Sequence, residues 1–131
     1  MPHLFLEYTD NLPQFNAAET LFKLNETLLG SGQFGPTDIK ARATRLDLYQ
    51  VGVQDMSKAN QTQHAFLHVR LALLSGRTPE VKKELSDSLM AVLKASCTWP
   101  DTTLMQMTVE MLDMDRPSYG KQVFAAKEQA S

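Results

Sequence analysis

The run His64-Ala65-Phe66-Leu67-His68-Val69-Arg70-Leu71-Ala72-Leu73 decides the fold. Ala65, Leu67, Val69, Leu71 and Leu73 take every second position, with His64, Phe66, His68 and Arg70 between them. Successive side chains of an extended chain point to opposite faces, so this alternation predicts a strand with one apolar face and one mixed face. Residues 3–9 repeat the pattern, with Leu4, Leu6 and Tyr8 against His3, Phe5 and Glu7. The openings His3-Leu4-Phe5-Leu6 and His64-Ala65-Phe66-Leu67 agree at three of four positions. Two related halves are therefore expected.

Each half continues in the same way. After the turn at Asp10-Asn11-Leu12-Pro13, a helix starts either at Pro13, as a first helical residue, or later with Asn16 and Glu19 as a capping box. Ala18, Leu21, Phe22, Leu28 and Leu29 mark its apolar stripe, and Gly30-Ser31-Gly32 its end. From Ile39 a second strand sets Ile39, Ala41 and Ala43 against Lys40, Arg42 and Thr44; the apolar phase then shifts to Leu46 and Leu48, which predicts a bulge or a bend near Thr44 or Arg45. Residues 51–61 are polar and read as a loop. In the second half, Thr78 as N-cap, Pro79 at the first helical position and Glu80 in the first turn open a helix with Val81, Leu85, Leu89, Val92 and Leu93 buried, which Trp99-Pro100-Asp101 stops. The last strand sets Met105, Met107, Val109 and Met111 against Gln106, Thr108 and Glu110.

Two βαβ units with right-handed crossovers thus predict an α+β domain: a four-stranded sheet with both helices on one face. We expect one domain over 1–131, with a pseudo-repeat at 2–50 and 63–112 and a tail at 113–131 whose Tyr119 and Phe124 pack on something. The second sheet face would carry Phe5 and Phe66 among Glu7, His68, Arg70, Gln106, Thr108 and Glu110. A surface so mixed is suited to a symmetric interface where acids and bases pair, so a closed homo-oligomer is expected.

Composition narrows the class. The chain has 131 residues, 43% hydrophobic and 21% charged, as in an ordinary globular domain. Its net charge of -2 argues against a nucleic-acid or anionic-membrane partner, and against a ferredoxin-like nucleic-acid-binding domain. A single cysteine, no signal-peptide pattern and no apolar run near the roughly 20 residues that span a bilayer make the cytoplasm the expected compartment.

The chemistry-bearing residues are few. Removal of Met1 would leave Pro2 as a free secondary amine at the start of a strand, and neighbouring cations or burial lower the pKa of such an amine. Pro2 is then a candidate general base, although a proline there also serves simply to protect the terminus. His64 and His68 have a zinc-like spacing on a helix, but on a strand they are separated by about 13 Å, too far for one ion. Cys97 lacks a nearby base, the seven methionines complete core stripes, and the glycines near residue 31 close a helix where a phosphate cradle would open one.

Pro2-His3, the turn Tyr8-Thr9-Asp10-Asn11-Leu12, Ile39-Lys40-Ala41-Arg42 and Gly76-Arg77 before an amphipathic helix together resemble the 5-carboxymethyl-2-hydroxymuconate isomerase family of the tautomerase superfamily. The similarity runs from Pro2 to about Glu110. It implies a homotrimer of paired βαβ units, no cofactor and no metal, a tail reaching a neighbouring subunit, and Pro2 as catalytic base. It further implies Arg77 as a substrate-binding cation. The family's other arginine aligns with Lys40, a departure that replaces a planar fork by a point charge, and Arg42, on the same strand face, is the alternative. The expected activity is proton movement in an unsaturated 2-hydroxy or 2-oxo acid such as 5-carboxymethyl-2-hydroxymuconate. Alternatives are a tautomerase of phenylpyruvate-like small enols and a non-catalytic trimeric binding protein.

Overall fold

The computed structural model describes residues 1–55, 57, 58 and 61–127. Its elements are β1 (His3–Thr9), α1 (Ala17–Gly30), β2 (Lys40–Leu46), β3 (Gln63–Leu74), α2 (Pro79–Ser96) and β4 (Thr103–Met114). The sheet order is β2-β1-β3-β4. β1 runs parallel to β2 and antiparallel to β3, and β3 runs parallel to β4. Each parallel pair is joined through a helix, as parallel connections require.

The alternation in β1 and β3 produces the core. Leu4, Leu6, Leu67, Val69, Leu71 and Leu73 are buried on one sheet face, where Leu24 and Leu28 of α1 and Leu85, Leu89 and Leu93 of α2 meet them. Full burial of a leucine is worth about 1.5–3 kcal/mol, so this layer is the main stabilising unit.

The helix starts follow from capping chemistry. Thr78 accepts a hydrogen bond from the Val81 N–H, with Pro79 immediately inside α2. Asn16 accepts from the Glu19 N–H, which settles α1 on the later of the two expected starts. The stripe expected for α1 requires correction: its buried residues are Thr20, Leu24 and Leu28, whereas Phe22 is 65% and Leu29 44% exposed. Thr20 tolerates burial because its hydroxyl donates to the Asn16 carbonyl at 2.8 Å. The helix closes through Ser31, and Gly32 takes the left-handed conformation at φ 75°. α2 ends at Ser96, before the Trp99-Pro100-Asp101 stop, because Cys97 is already extended.

The bulge or bend expected near Thr44 or Arg45 is also corrected. β1 and β2 pair without interruption from His3 opposite Lys40 to Thr9 opposite Leu46. Leu46 belongs to the second sheet face with Lys40, Arg42 and Thr44, so an apolar residue there needs no change of phase. Residues 51–55, 57, 58 and 61 carry no helix or strand, while Met56, Ala59 and Asn60 of that expected loop, and 128–131 of the tail, lie outside the described residues. No helix among the described residues is long and apolar enough to cross a membrane.

On the second face the Arg42 and Arg70 guanidinium groups stack on the Phe5 ring, 4.4 and 4.7 Å from its centroid. His68 bridges Thr108 Oγ1 at 2.6 Å and Glu110 Oε1 at 2.8 Å. Both histidines of β3 are thus engaged separately, His64 through its Nε2 with Gln54 and His68 across to β4.

Candidate active site at the start of the sheet

The candidate residues gather where β1 and β2 begin and β3 ends. Parallel pairing places Pro2 beside the start of β2, where the Lys40 N–H donates to the Pro2 carbonyl at 3.1 Å. Pro2 is buried. The chain-terminal amine, carried here by Met1, donates to the Asp38 carbonyl at 2.7 Å, and Lys40 Nζ donates to the same oxygen at 3.0 Å. Burial lowers the pKa of that amine from 8.0 to about 6, aided by the charges of Lys40 and Lys121 and a hydrogen bond from Lys40, against an opposing pull from Asp38. Pro2 nitrogen lies one residue further along and is an amide while Met1 is attached.

The tail completes this end of the sheet. Arg116 donates through Nε and Nη2 to the Ser75 carbonyl beyond β3, Tyr119 hydroxyl meets His3 Nε2 of β1 at 2.8 Å, and Lys121 Nζ reaches Asp38 Oδ1 before β2 at 2.6 Å. It therefore crosses the strand ends one after another from β4 to β2. Residues 119–124 and Thr37, Asp38 and Lys40 enclose a groove of about 460 Å³. A cavity of about 510 Å³ lies at the other end of the sheet, lined by Leu12, Pro13, Trp99, Pro100 and polar uncharged neighbours. It contains no ionisable side chain that could move a proton or hold an anion, whereas the groove carries Asp38, Lys40 and Lys121 at the end of the sheet where Pro2 lies, and it is taken as the candidate site.

Arg42 and Arg77 occupy different surroundings. Arg42 donates to His3 Nδ1 at 3.1–3.2 Å on the second sheet face. Burial chiefly, then the charges of Arg42, Lys40 and the terminal amine, lower the His3 pKa. Arg77 follows β3 and Gly76, which has φ 120°, a backbone conformation suited to glycine. Its guanidinium donates to Gln33 Oε1, the Gln33 carbonyl and the Leu74 carbonyl, each at 3.2 Å, and stacks over Phe34 at 4.7 Å. Burial and the nearby Arg116 lower its pKa. The structure thus brings Pro2 and Lys40 together, sets Arg42 one strand position pair away through His3, and holds Arg77 at the same end of the sheet with its own partners.

Sequence reasoning did not single out Asp38, Lys121 or the Tyr119–His3 contact as parts of the site. Their only sequence signal is the matched face of His3 and Arg42 under parallel pairing; a tail crossing strand ends has no periodicity to read. Cys97, by contrast, is buried, and burial raises its pKa, which suits an inert thiol.

A four-stranded mixed sheet of two paired βαβ units places the chain in the tautomerase class of fold. The family model for 5-carboxymethyl-2-hydroxymuconate isomerase matches residues 2–125. A 5-carboxymethyl-2-hydroxymuconate isomerase from Deinococcus radiodurans R1 is 36% identical over 92% of this chain and 88% of its own, with a TM-score of 0.70. The chain belongs to the 5-carboxymethyl-2-hydroxymuconate isomerase family, and the fold and family together make it an isomerase. Two more distant structures share the fold. A 5-carboxymethyl-2-hydroxymuconate delta-isomerase is 18% identical, covering 98% of this chain and 89% of its own at a TM-score of 0.71. A fused 4-OT wild-type symmetric trimer is 17% identical, covering 91% and 90% at a TM-score of 0.69. No curated protein matches the chain.

Proposed function

We propose that this isomerase moves a proton within an unsaturated 2-hydroxy or 2-oxo carboxylic acid, 5-carboxymethyl-2-hydroxymuconate or a close analogue, in cytoplasmic breakdown of aromatic acids. Pro2, freed by removal of Met1, is the general base. The observation that carries this reading is the placement of Pro2, buried at the start of β1 with the Lys40 N–H on its carbonyl, next to a Met1 amine whose pKa burial and Lys40 lower. Burial and neighbouring cations disfavour the charged form of an amine, and a neutral amine accepts a proton.

Pro2 nitrogen takes the proton of the dienol hydroxyl, or of the carbon next to the carbonyl. The electron pair left behind delocalises through the conjugated system as a dienolate, and the protonated amine returns its proton at another carbon of that system. One group serves as base and then as acid, so the reaction balances without an external donor. Arg77, with Lys40 or Arg42, binds carboxylate and stabilises the developing negative charge, where preorganised cations contribute most. No hydrogen bond among the described residues links Arg77 to Lys40 or Arg42 within one chain, so their convergence on one substrate belongs with the proposal of a homotrimer. The mixed second face and the trimeric neighbour of the same fold support that assembly.

Mature protein lacking Met1 should convert the dienol to its conjugated ketone in an ultraviolet absorbance assay, at a mass by light scattering three times the 14.7 kDa chain. An added amino-terminal tag, which turns the Pro2 nitrogen into an amide, should abolish turnover while leaving the mass of the assembly unchanged. Full activity in the tagged protein would refute the assignment of Pro2.

A further inference from the structure

We propose that Lys121, on the tail, is a specificity-determining residue that binds a second carboxylate of the substrate, displacing Asp38 as its partner; the inference rests on the reading above.

Two lysine ammonium groups and the chain-terminal nitrogen surround one acidic residue. The Asp38 carbonyl accepts from the terminal amine at 2.7 Å and from Lys40 Nζ at 3.0 Å, while its carboxylate accepts from Lys121 Nζ at 2.6 Å. Asp38 is the single acid among the residues lining the groove, and Lys40 and Lys121 are its two lysines. The lining therefore carries a surplus of positive charge beside the nitrogen that is to act on substrate.

The spacing fits one small polyacid. Both ammonium groups are hydrogen-bonded to atoms of the same residue, so they lie no more than roughly 10 Å apart. A carboxylate next to the reacting enol meets Lys40, and a carboxylate a few carbons away meets Lys121. A monocarboxylate engages only the first. The tail makes this arrangement possible because it is already anchored at Ser75 and His3 when Lys121 arrives over β2.

The existing partner is easily given up. The Lys121 and Asp38 side chains are 39% and 37% exposed, and a pair so open to water contributes little to folding. The same pair keeps the ammonium group aimed into the groove until substrate comes. Lys121 also lowers the pKa of both the Asp38 carboxyl and the terminal amine, so it acts on the electrostatics of base and counter-ion together.

A tail clasp and a substrate ligand predict different outcomes for the two halves of the pair. Lys121→Met should raise KM for a dicarboxylic dienol by roughly ten- to hundredfold, the loss of a charge-assisted hydrogen bond. It should raise KM for a phenylpyruvate-like monocarboxylate far less, by no more than about threefold. Asp38→Asn, which frees Lys121, should lower KM for the dicarboxylate. If the pair is only a clasp, both variants change KM in the same direction and affect both substrates alike, and the proposal is overturned. Titration calorimetry with an unreactive saturated six-carbon dicarboxylate supplies a readout independent of turnover. Weaker binding in Lys121→Met and tighter binding in Asp38→Asn support the inference even if the wild-type protein isomerises nothing, an outcome that would count against the Pro2 reading alone. Equal binding in all three proteins would overturn the Lys121 assignment.

Discussion

The base assigned to Pro2 should reveal itself in the pH dependence of kcat/KM. A general base works when neutral, so the rate should fall as pH drops through its pKa and level off above it. The Met1 amine, one residue before Pro2, is lowered from 8.0 to about 6. At pH 7 an amine at 6 is roughly nine-tenths neutral and one at 8 roughly one-tenth, about a tenfold gain in reactive form. Pro2 nitrogen lies one residue further along, where burial and the Lys40 charge act in the same direction, so an inflection below the ordinary value of about 8 is expected. The perturbation is Lys40→Gln. It removes the Lys40 charge and the Lys40 hydrogen bond, two causes that hold the amine down, but leaves burial, the largest cause, in place. The inflection should therefore move upward yet stop short of 8. Lys40 is also a candidate substrate ligand, so the plateau will drop as well; the position of the inflection is what decides. His3 titrates nearby, its pKa held below 6.5 chiefly by burial. A His3→Asn control separates the two groups, since an inflection due to the amine survives that change. A wild-type inflection near 8, or one that Lys40→Gln leaves in place or moves downward, would refute the account of how the base is tuned.

The other consequences are simpler. Arg77→Lys removes a planar fork that now donates to Gln33 and the Leu74 carbonyl; KM for the carboxylate substrate should rise at least roughly tenfold with kcat less affected, because a point charge cannot replace a bidentate contact. Thr78→Ala deletes the cap that accepts from the Val81 N–H and should cost about 1 kcal/mol, read from the urea midpoint. Leu67→Ala empties a position fully buried between the helices and the sheet and should cost about 2–5 kcal/mol by the same measurement.

The sequence made the fold legible where two environments differ sharply along one element. β3 is buried on one side and meets a mixed face on the other, so its period of two survives over the whole strand. Thr78-Pro79 marks the start of α2 because both residues answer to backbone geometry, whatever the tertiary setting. Misreadings arose where apolar residues sit outside the core. Phe22 and Leu29 are on the open side of α1, and Leu46 lies on the sheet face away from the helices, where a single chain leaves apolar groups half covered. The site divides in the same way. Pro2 and Lys40 become neighbours as soon as β1 and β2 pair in parallel, whereas Lys121 and Asp38 meet across 83 positions through a tail with no repeating pattern. That tail is fastened by polar contacts at Ser75, His3 and Asp38, while Val123 and Phe124 remain 78% and 83% exposed in the single chain. A segment secured in this way adds little to the core, so its side chains are free to be chosen for what the groove must bind. The same freedom hides them from any reading based on burial.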